Sequence, residues 1–322
     1  MRGDTPSRTA AWVAAARHLG RLLPEDVRIA DDPYGAAFTS ATLAGLIEQA
    51  IEEQPEDSRA LTLGNALRAI RHPLTRVPGL KSWILYMQVR TRVIDDAVRA
   101  FVASGGRQLV LLGAGYDCRA LRMPELDDVH VFEVDHPATQ GHKREVFERH
   151  GIESPSTYVT WDFEERPVED LPEYLQELGH DPTAPTFTIW EGVTMYLSEA
   201  AIDASLRAIA EWSGPGGELA MTYFSKQRLA KPSLATRAIQ AVVSTVGEPW
   251  RWGWNPDDLP AYLAERGLEL RADISLKDAA HELLPPELAS AITDPDRRVA
   301  LSSAREQLGF GARESIAIAN KP

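Results

Sequence analysis

Three carboxylates, an arginine and a pair of glycines fall at the ends of apolar runs or on an apolar helical face, where side chains and backbone can reach a ligand. Leu111-Leu112-Gly113-Ala114-Gly115-Tyr116-Asp117 directly follows a short apolar run. Glycines there let the backbone turn tightly and let a ligand come close to the main chain. Asp135 ends a second apolar run, twenty positions beyond Gly115, where a carboxylate can accept hydrogen bonds from both ribose hydroxyls. Asp162, followed by Phe163, lies at the end of a third run; the acid can accept from an adenine amino group and the ring can flank the base, although a turn or N-cap aspartate is the commoner role. Glu191 ends a fourth run, in Trp190-Glu191-Gly192-Val193-Thr194-Met195-Tyr196-Leu197, and ligands of open α/β sheets gather at such carboxyl ends. Arg90 shares a helical face with Tyr86, Val93, Ile94, Ala97 and Phe101. A guanidinium on an apolar face needs a partner. That partner is either a ligand carboxylate, clamped through two hydrogen bonds, or an internal acid.

The elements that must position these residues follow from periodicity. The segment Leu80 to Gly105 reads as a helix that stops at Gly105-Gly106. Gln108–Gly113, Val129–Asp135, Ser156–Asp162, Thr186–Val193 and Glu218–Phe224 read as strands, with Leu268–Asp273 and Arg313–Asn320 as two more. A helix is expected from about Ser198 to Trp212, and Gly214-Pro215-Gly216-Gly217 as a turn. Strands alternating with helices imply an α/β fold, a parallel sheet covered on both faces. The chain then divides into an N-terminal helical cap (1–105), a Rossmann-like core (106–224), an inserted lid (225–265) and a C-terminal completion of the sheet (266–322). The lid carries Lys226, Arg228, Lys231, Arg237 and the cluster Trp250, Trp252 and Trp254. Asp294–Arg298 is polar and is expected near the start of a helix.

A GxG turn and an acidic strand end serve both NAD and S-adenosylmethionine. Two residues favour the latter. Cys118 occupies the position where the dinucleotide fingerprint wants a third Gly or Ala. Asp117 would set a negative charge where a pyrophosphate wants a bare helix N-terminus. An NAD-dependent oxidoreductase is therefore the second reading, and a non-catalytic binder the third. The sequence has neither a GxSxG elbow nor a GxxxxGK[ST] loop.

Together these segments resemble the leucine carboxyl methyltransferase family. Ser7-Arg8-Thr9-Ala10 and Asp32-Pro33 look like its N-terminal signatures, and Arg90-Thr91-Arg92-Val93-Ile94-Asp95 like its arginine helix. Leu112-Gly113-Ala114-Gly115-Tyr116-Asp117-Cys118-Arg119 is similar to its glycine loop, with Cys118 where Thr is usual, and Phe132-Glu133-Val134-Asp135-His136-Pro137 to its second strand. The resemblance implies a Rossmann-like class I methyltransferase fold with a mostly parallel seven-stranded sheet, S-adenosyl-L-methionine as cofactor, and cofactor contacts at Arg90, Gly113, Asp135, Asp162 with Phe163, and Glu191. Its branches methylate small-molecule carboxylates or a protein's C-terminal leucine, so the family leaves the acceptor open.

Methyl transfer is an in-line displacement, so alignment and exclusion of water supply much of the rate. A carboxylate acceptor, of pKa about 4, is already ionised at neutral pH, whereas a phenol near pKa ~10 gains from a base. Tyr196 and Tyr223 are candidates to orient an acceptor, and His136 is an alternative base held back by Pro137. The tryptophans could cover an acceptor or simply pack the lid. With no evident base, a small-molecule carboxylate of secondary metabolism is the expected acceptor. The net charge of −13 disfavours nucleic-acid and anionic-membrane partners. The single cysteine, Cys118, and the apolar run from Ala10 to Ala16, too short for a leader or a span, point to a cytoplasmic protein. No metal site is expected, and the oligomeric state is left open.

Overall fold

A computed structural model of the chain describes residues 5–23, 28–39, 80–226, 250–286, 288–289 and 314–322. Among the described residues the seven strands are β1 (Gln108–Leu112), β2 (His130–Asp135), β3 (Thr157–Thr160), β4 (Thr186–Trp190), β5 (Glu218–Phe224), β6 (Glu269–Ser275) and β7 (Glu314–Asn320). They form one sheet in the order β3-β2-β1-β4-β5-β7-β6. Every pairing is parallel except those of β7, which runs antiparallel to both β5 and β6. The order reverses between β1 and β4, a switch point whose carboxyl-end crevice is the standard ligand position of doubly wound sheets.

The helices of the described residues are α1 (Arg8–Leu19), α2 (Leu80–Ala103), α3 (Arg119–Arg122), α4 (Pro137–Arg149), α5 (Leu171–Glu177), α6 (Glu199–Trp212), α7 (Leu259–Ala264) and α8 (Leu276–Leu283). All five β1 residues are buried, as a strand covered on both faces requires. Leu109 and Leu111 face α2 and α8, together with Ile84, Leu85, Ile94, Val98, Phe101 and Leu276. Val110 and Leu112 face α5, α6 and α7, through Leu171, Leu175, Ile202, Leu206, Leu259 and Leu263. Side chains of period two on the strands thus feed two separate helical layers.

Local chemistry sets the boundaries. α2 ends where Gly105 takes φ +105 and the Gly106 N–H returns to the Phe101 carbonyl at 3.1 Å, a glycine stop. Ser198 caps α6 by accepting from the Ala201 N–H at 3.2 Å. The strand assignments from sequence match the structure to within a few residues. β4 stops at Trp190, so Glu191 lies one residue beyond it, and β3 stops at Thr160, which leaves Asp162 in the following loop. α2 packs directly on the sheet rather than in a layer apart from it. Of the 225–265 segment, 227–249 lie outside the described residues, as do Arg228, Lys231, Arg237 and the Asp294–Arg298 stretch. Among the described residues, no helix is long and apolar enough to cross a membrane.

Candidate functional site

The glycine loop is bonded to the end of β2. Gly113 has φ +74 and Gly115 φ +54, conformations that cost a side-chain-bearing residue energy. The Gly113 and Ala114 N–H groups both donate to the Val134 carbonyl, at 2.9 and 3.0 Å. The Gly115 N–H donates to Asp135 Oδ2, and the His136 N–H to Asp135 Oδ1 at 2.6 Å. Each carboxylate oxygen has two acceptor positions, so one per oxygen remains for an outside donor. A pair of vicinal hydroxyls matches that demand. Burial pushes the Asp135 carboxyl up to about 6, against the pull of the two amides and of Lys143.

Past β4, Gly192 takes φ +72, and Val193 comes close enough to Gly113 that a β-carbon there would meet Val193 Cγ2 at 2.6 Å. This contact brings Glu191 and the glycine loop to the same crevice. Glu191 Oε1 accepts from Arg17 Nη2 at 2.7 Å and from Arg90 Nε at 2.8 Å, and Oε2 accepts from Arg119 Nη1 at 2.9 Å. The arginines hold Glu191 well below the usual carboxylate range despite its burial. Arg119, fully buried, also donates to Asp95 Oδ1 at 2.8 Å and to Asp117. Arg122 donates to both oxygens of Asp95, at 2.6 and 2.8 Å. Four arginines are therefore hydrogen-bonded to three carboxylates. A fourth acid, Glu314, lies 3.6 Å from Arg90 Nη1, has no hydrogen bond on either oxygen among the described residues, and is pushed well up by burial.

The sequence singled out Arg90 and Glu191 separately, and the structure joins them. Arg17 and Glu314 were not singled out there, and Arg119 and Asp95 entered only as members of quoted motifs, with no role of their own. Asp117 does not present the bare negative charge expected at the loop, since Arg119 and Arg17 both pair with it. A different feature disfavours a pyrophosphate: α3 is a single turn of four residues, so no long helix begins at the glycine loop.

Asp162 Oδ1 accepts from the Glu164 N–H at 2.9 Å, in an Asx turn. Phe163 beside it is 42% exposed, an open ring at the edge of the β2 and β3 tips. His136 caps α4, its Nδ1 accepting from the Ala138 N–H at 3.2 Å, and its Nε2 lies 3.4 Å from Asp162 Oδ2. Tyr196 is half-buried and close enough to Arg90 for the two to interact electrostatically. Tyr223 is buried in the core, where its hydroxyl donates to Asp273 Oδ2 at 2.7 Å, so its polar atom is engaged away from the arginines. The tryptophans pack the body: Trp254 is buried against Tyr223 and Tyr262, Trp252 sits edge-on to Trp254, and Trp250 packs on Phe224. The Arg251 and Trp252 N–H groups donate to the Met195 carbonyl, tying this segment to the turn that follows Glu191.

Comparison with known proteins places this geometry in context. A family model described as leucine carboxyl methyltransferase matches residues 10–210. A protein of Mycobacteroides abscessus, provisionally named an S-adenosyl-L-methionine-dependent methyltransferase, is 32% identical over 283 residues, covering 84% of each chain. A provisionally named methyltransferase of Frankia alni is 31% identical over 244 residues, 70% of this chain and 85% of its own. One from Streptomyces coelicolor is 36% identical over 184 residues, and there the match spans only 61% of the relative's length. Among solved structures, a DUF574 family protein from Streptomyces avermitilis shares the fold with a TM-score of 0.51 at 15% identity, covering 96% of this chain and 97% of that one.

Proposed function

The chain belongs to the leucine carboxyl methyltransferase family, and on that premise we propose that it transfers a methyl group from S-adenosylmethionine to an oxygen of a small molecule, a carboxylate ahead of a phenol. The observation that carries the reading is Asp135, whose two oxygens are each fixed by one backbone amide and each keep an acceptor position for a ribose hydroxyl.

The rest of the donor set suits the same cofactor. S-adenosylmethionine brings a carboxylate, an ammonium and a ribose, and when bound it supplies a methyl carbon made electrophilic by its sulfonium. Arg90, with Arg17, would hold the carboxylate. Support for this comes from the convergence of Arg17 and Arg90 on one side of Glu191, a pair of guanidinium groups that suits an incoming carboxylate. Glu191 would orient those arginines and remain available to an ammonium. Asp162 and Phe163 would take the adenine edge and face. Each of these residues positions or neutralises; none has to move a proton.

A carboxylate acceptor is supported by the state of His136, the candidate base, and of Tyr223, a candidate to orient the acceptor. His136 spends Nδ1 on a helix cap and turns Nε2 toward Asp162, and Tyr223 is bonded to Asp273. An acceptor that arrives ionised needs neither. The test is transfer of labelled methyl from S-adenosylmethionine to panels of small carboxylic acids and phenols, followed by mild alkali. Label released by alkali marks a methyl ester and is the expected result. Label that survives alkali on a phenol would overturn the acceptor assignment, and no transfer to either panel would overturn the oxygen-acceptor reading for these classes.

A further inference from the structure

Beneath the glycine loop lies a buried charged pair that the proposed chemistry does not use. Lys143 on α4 is 1% exposed and Glu133 on β2 is 2% exposed. Lys143 Nζ meets Glu133 Oε2 at 2.5 Å and donates a second hydrogen bond to the Asp117 carbonyl. Glu133 Oε1 accepts from Ser156 Oγ at 2.9 Å. Burying an ion pair rarely stabilises a fold more than an apolar pair of equal size, so the pair invites a reason beyond packing. The reason lies in the third partner. Asp117 closes the turn whose first half carries Gly115, and its own N–H returns to the Ala114 carbonyl at 2.9 Å. Glu133 stands two residues before Asp135 on β2.

We propose that Lys143 is a positioning residue for the cofactor: its ammonium ties the Asp117 carbonyl to Glu133 and so fixes the glycine loop against β2 at the spacing that presents Gly115 and Asp135 together. Beyond the Gly113 and Ala114 amides on the Val134 carbonyl, two further ties join loop and strand. One is the Gly115 amide on Asp135, which the ligand sees. The other is the carbonyl–ammonium–carboxylate link, which it does not see. A neutral residue at 143 would leave the Asp117 carbonyl without this donor and let the far side of the turn relax. Burial alone would discharge the amine, but Glu133 and the neighbouring acids hold Lys143 protonated, above its ordinary range.

This inference rests on the cofactor assignment above, and the experiment separates the two. S-adenosylhomocysteine binding is measured by calorimetry, beside thermal melts, for wild type, Lys143→Met and the double variant Glu133→Gln/Lys143→Met. The single variant strands a buried carboxylate and is expected to melt several degrees lower. The double variant removes that charge and is expected to melt near wild type, yet still to bind about tenfold or more weakly, because the loop carbonyl has lost its donor. Hydrogen exchange of the unliganded double variant should show faster exchange at the Gly115 amide. Recovery of wild-type affinity together with stability, or unchanged Gly115 exchange, would overturn the positioning role while leaving the cofactor assignment intact. Failure of the wild type to bind S-adenosylhomocysteine would overturn both.

Discussion

Glu191 shows how much one carboxylate can organise. It draws guanidinium groups from α1, α2 and α3 into one cluster, with Arg119 in turn bridging to Asp95 and Asp117. Such pairs are costly to break singly, because each removal strands the partners. Arg119→Met should therefore destabilise the protein by roughly 3–5 kcal/mol, measured by denaturant unfolding; a loss under about 1 kcal/mol would mean that the acids find water or other partners. Asp135 carries a pH signature. Its folded-state carboxyl is pushed up to about 6 from an ordinary 3.8, so its contribution to stability is present at low pH and is lost as pH rises through about 6. Ligand binding runs the other way, because two ribose hydroxyls need an ionised acceptor. Affinity for S-adenosylhomocysteine should fall about tenfold between pH 7 and pH 5, and Asp135→Asn should bind weakly at both. A pH-independent affinity over that window would contradict the role given to this group. Sequence reading singled out Arg90, Asp135 and Glu191 because each ends or faces a periodic element. It missed Arg17 and Arg119 because their partners lie up to 174 residues away, a distance no periodicity encodes. The signal available was an arginine within the alanine-rich stretch of α1, a face that cannot bury a charge alone.

At the scale of elements, two segments meet over the crevice. The glycine loop enters it from β1 and the Gly192–Tyr196 turn from β4, and they touch at Gly113 and Val193. A methyl group at Gly113 would face both a positive φ of +74 and Val193 Cγ2 at 2.6 Å. Gly113→Ala should cost about 2 kcal/mol or more in stability. Adding Val193→Ala should return the steric share but not the conformational one, so the double variant should melt between the single variant and wild type. A double variant no more stable than Gly113→Ala would show that the contact with Val193 contributes nothing. The strands were legible because short apolar runs bounded by Gly, Asp and Pro leave few alternatives once helices lie between them. Their exact ends were less so. Glu191 and Asp162 read as the last strand residues, yet both lie in the turns just beyond, where the backbone leaves the ladder and a side chain can face the crevice. The tryptophan segment was legible as aromatic but not as to its direction; the contacts of Trp252 and Trp254 with Tyr262 turn it toward α7, a choice set by tertiary packing.

For the whole molecule, the doubly wound order with an antiparallel β7 between β5 and β6 places Asp135 and Glu191 on either side of the switch point, at the ends of the strands flanking β1. That placement follows from topology alone and would serve a dinucleotide as well as S-adenosylmethionine. The discrimination comes from what surrounds it: a one-turn α3 in place of a long helix at the loop, and an arginine-rich cluster suited to a single carboxylate. The most direct test is a pair of thermal melts, one with S-adenosylhomocysteine and one with NADH. A ligand at a hundred times its Kd stabilises the native state by about 2.7 kcal/mol, which moves the midpoint of a chain this size by several degrees. The account predicts a rise of that size with S-adenosylhomocysteine and none with NADH; a rise with NADH alone would contradict it.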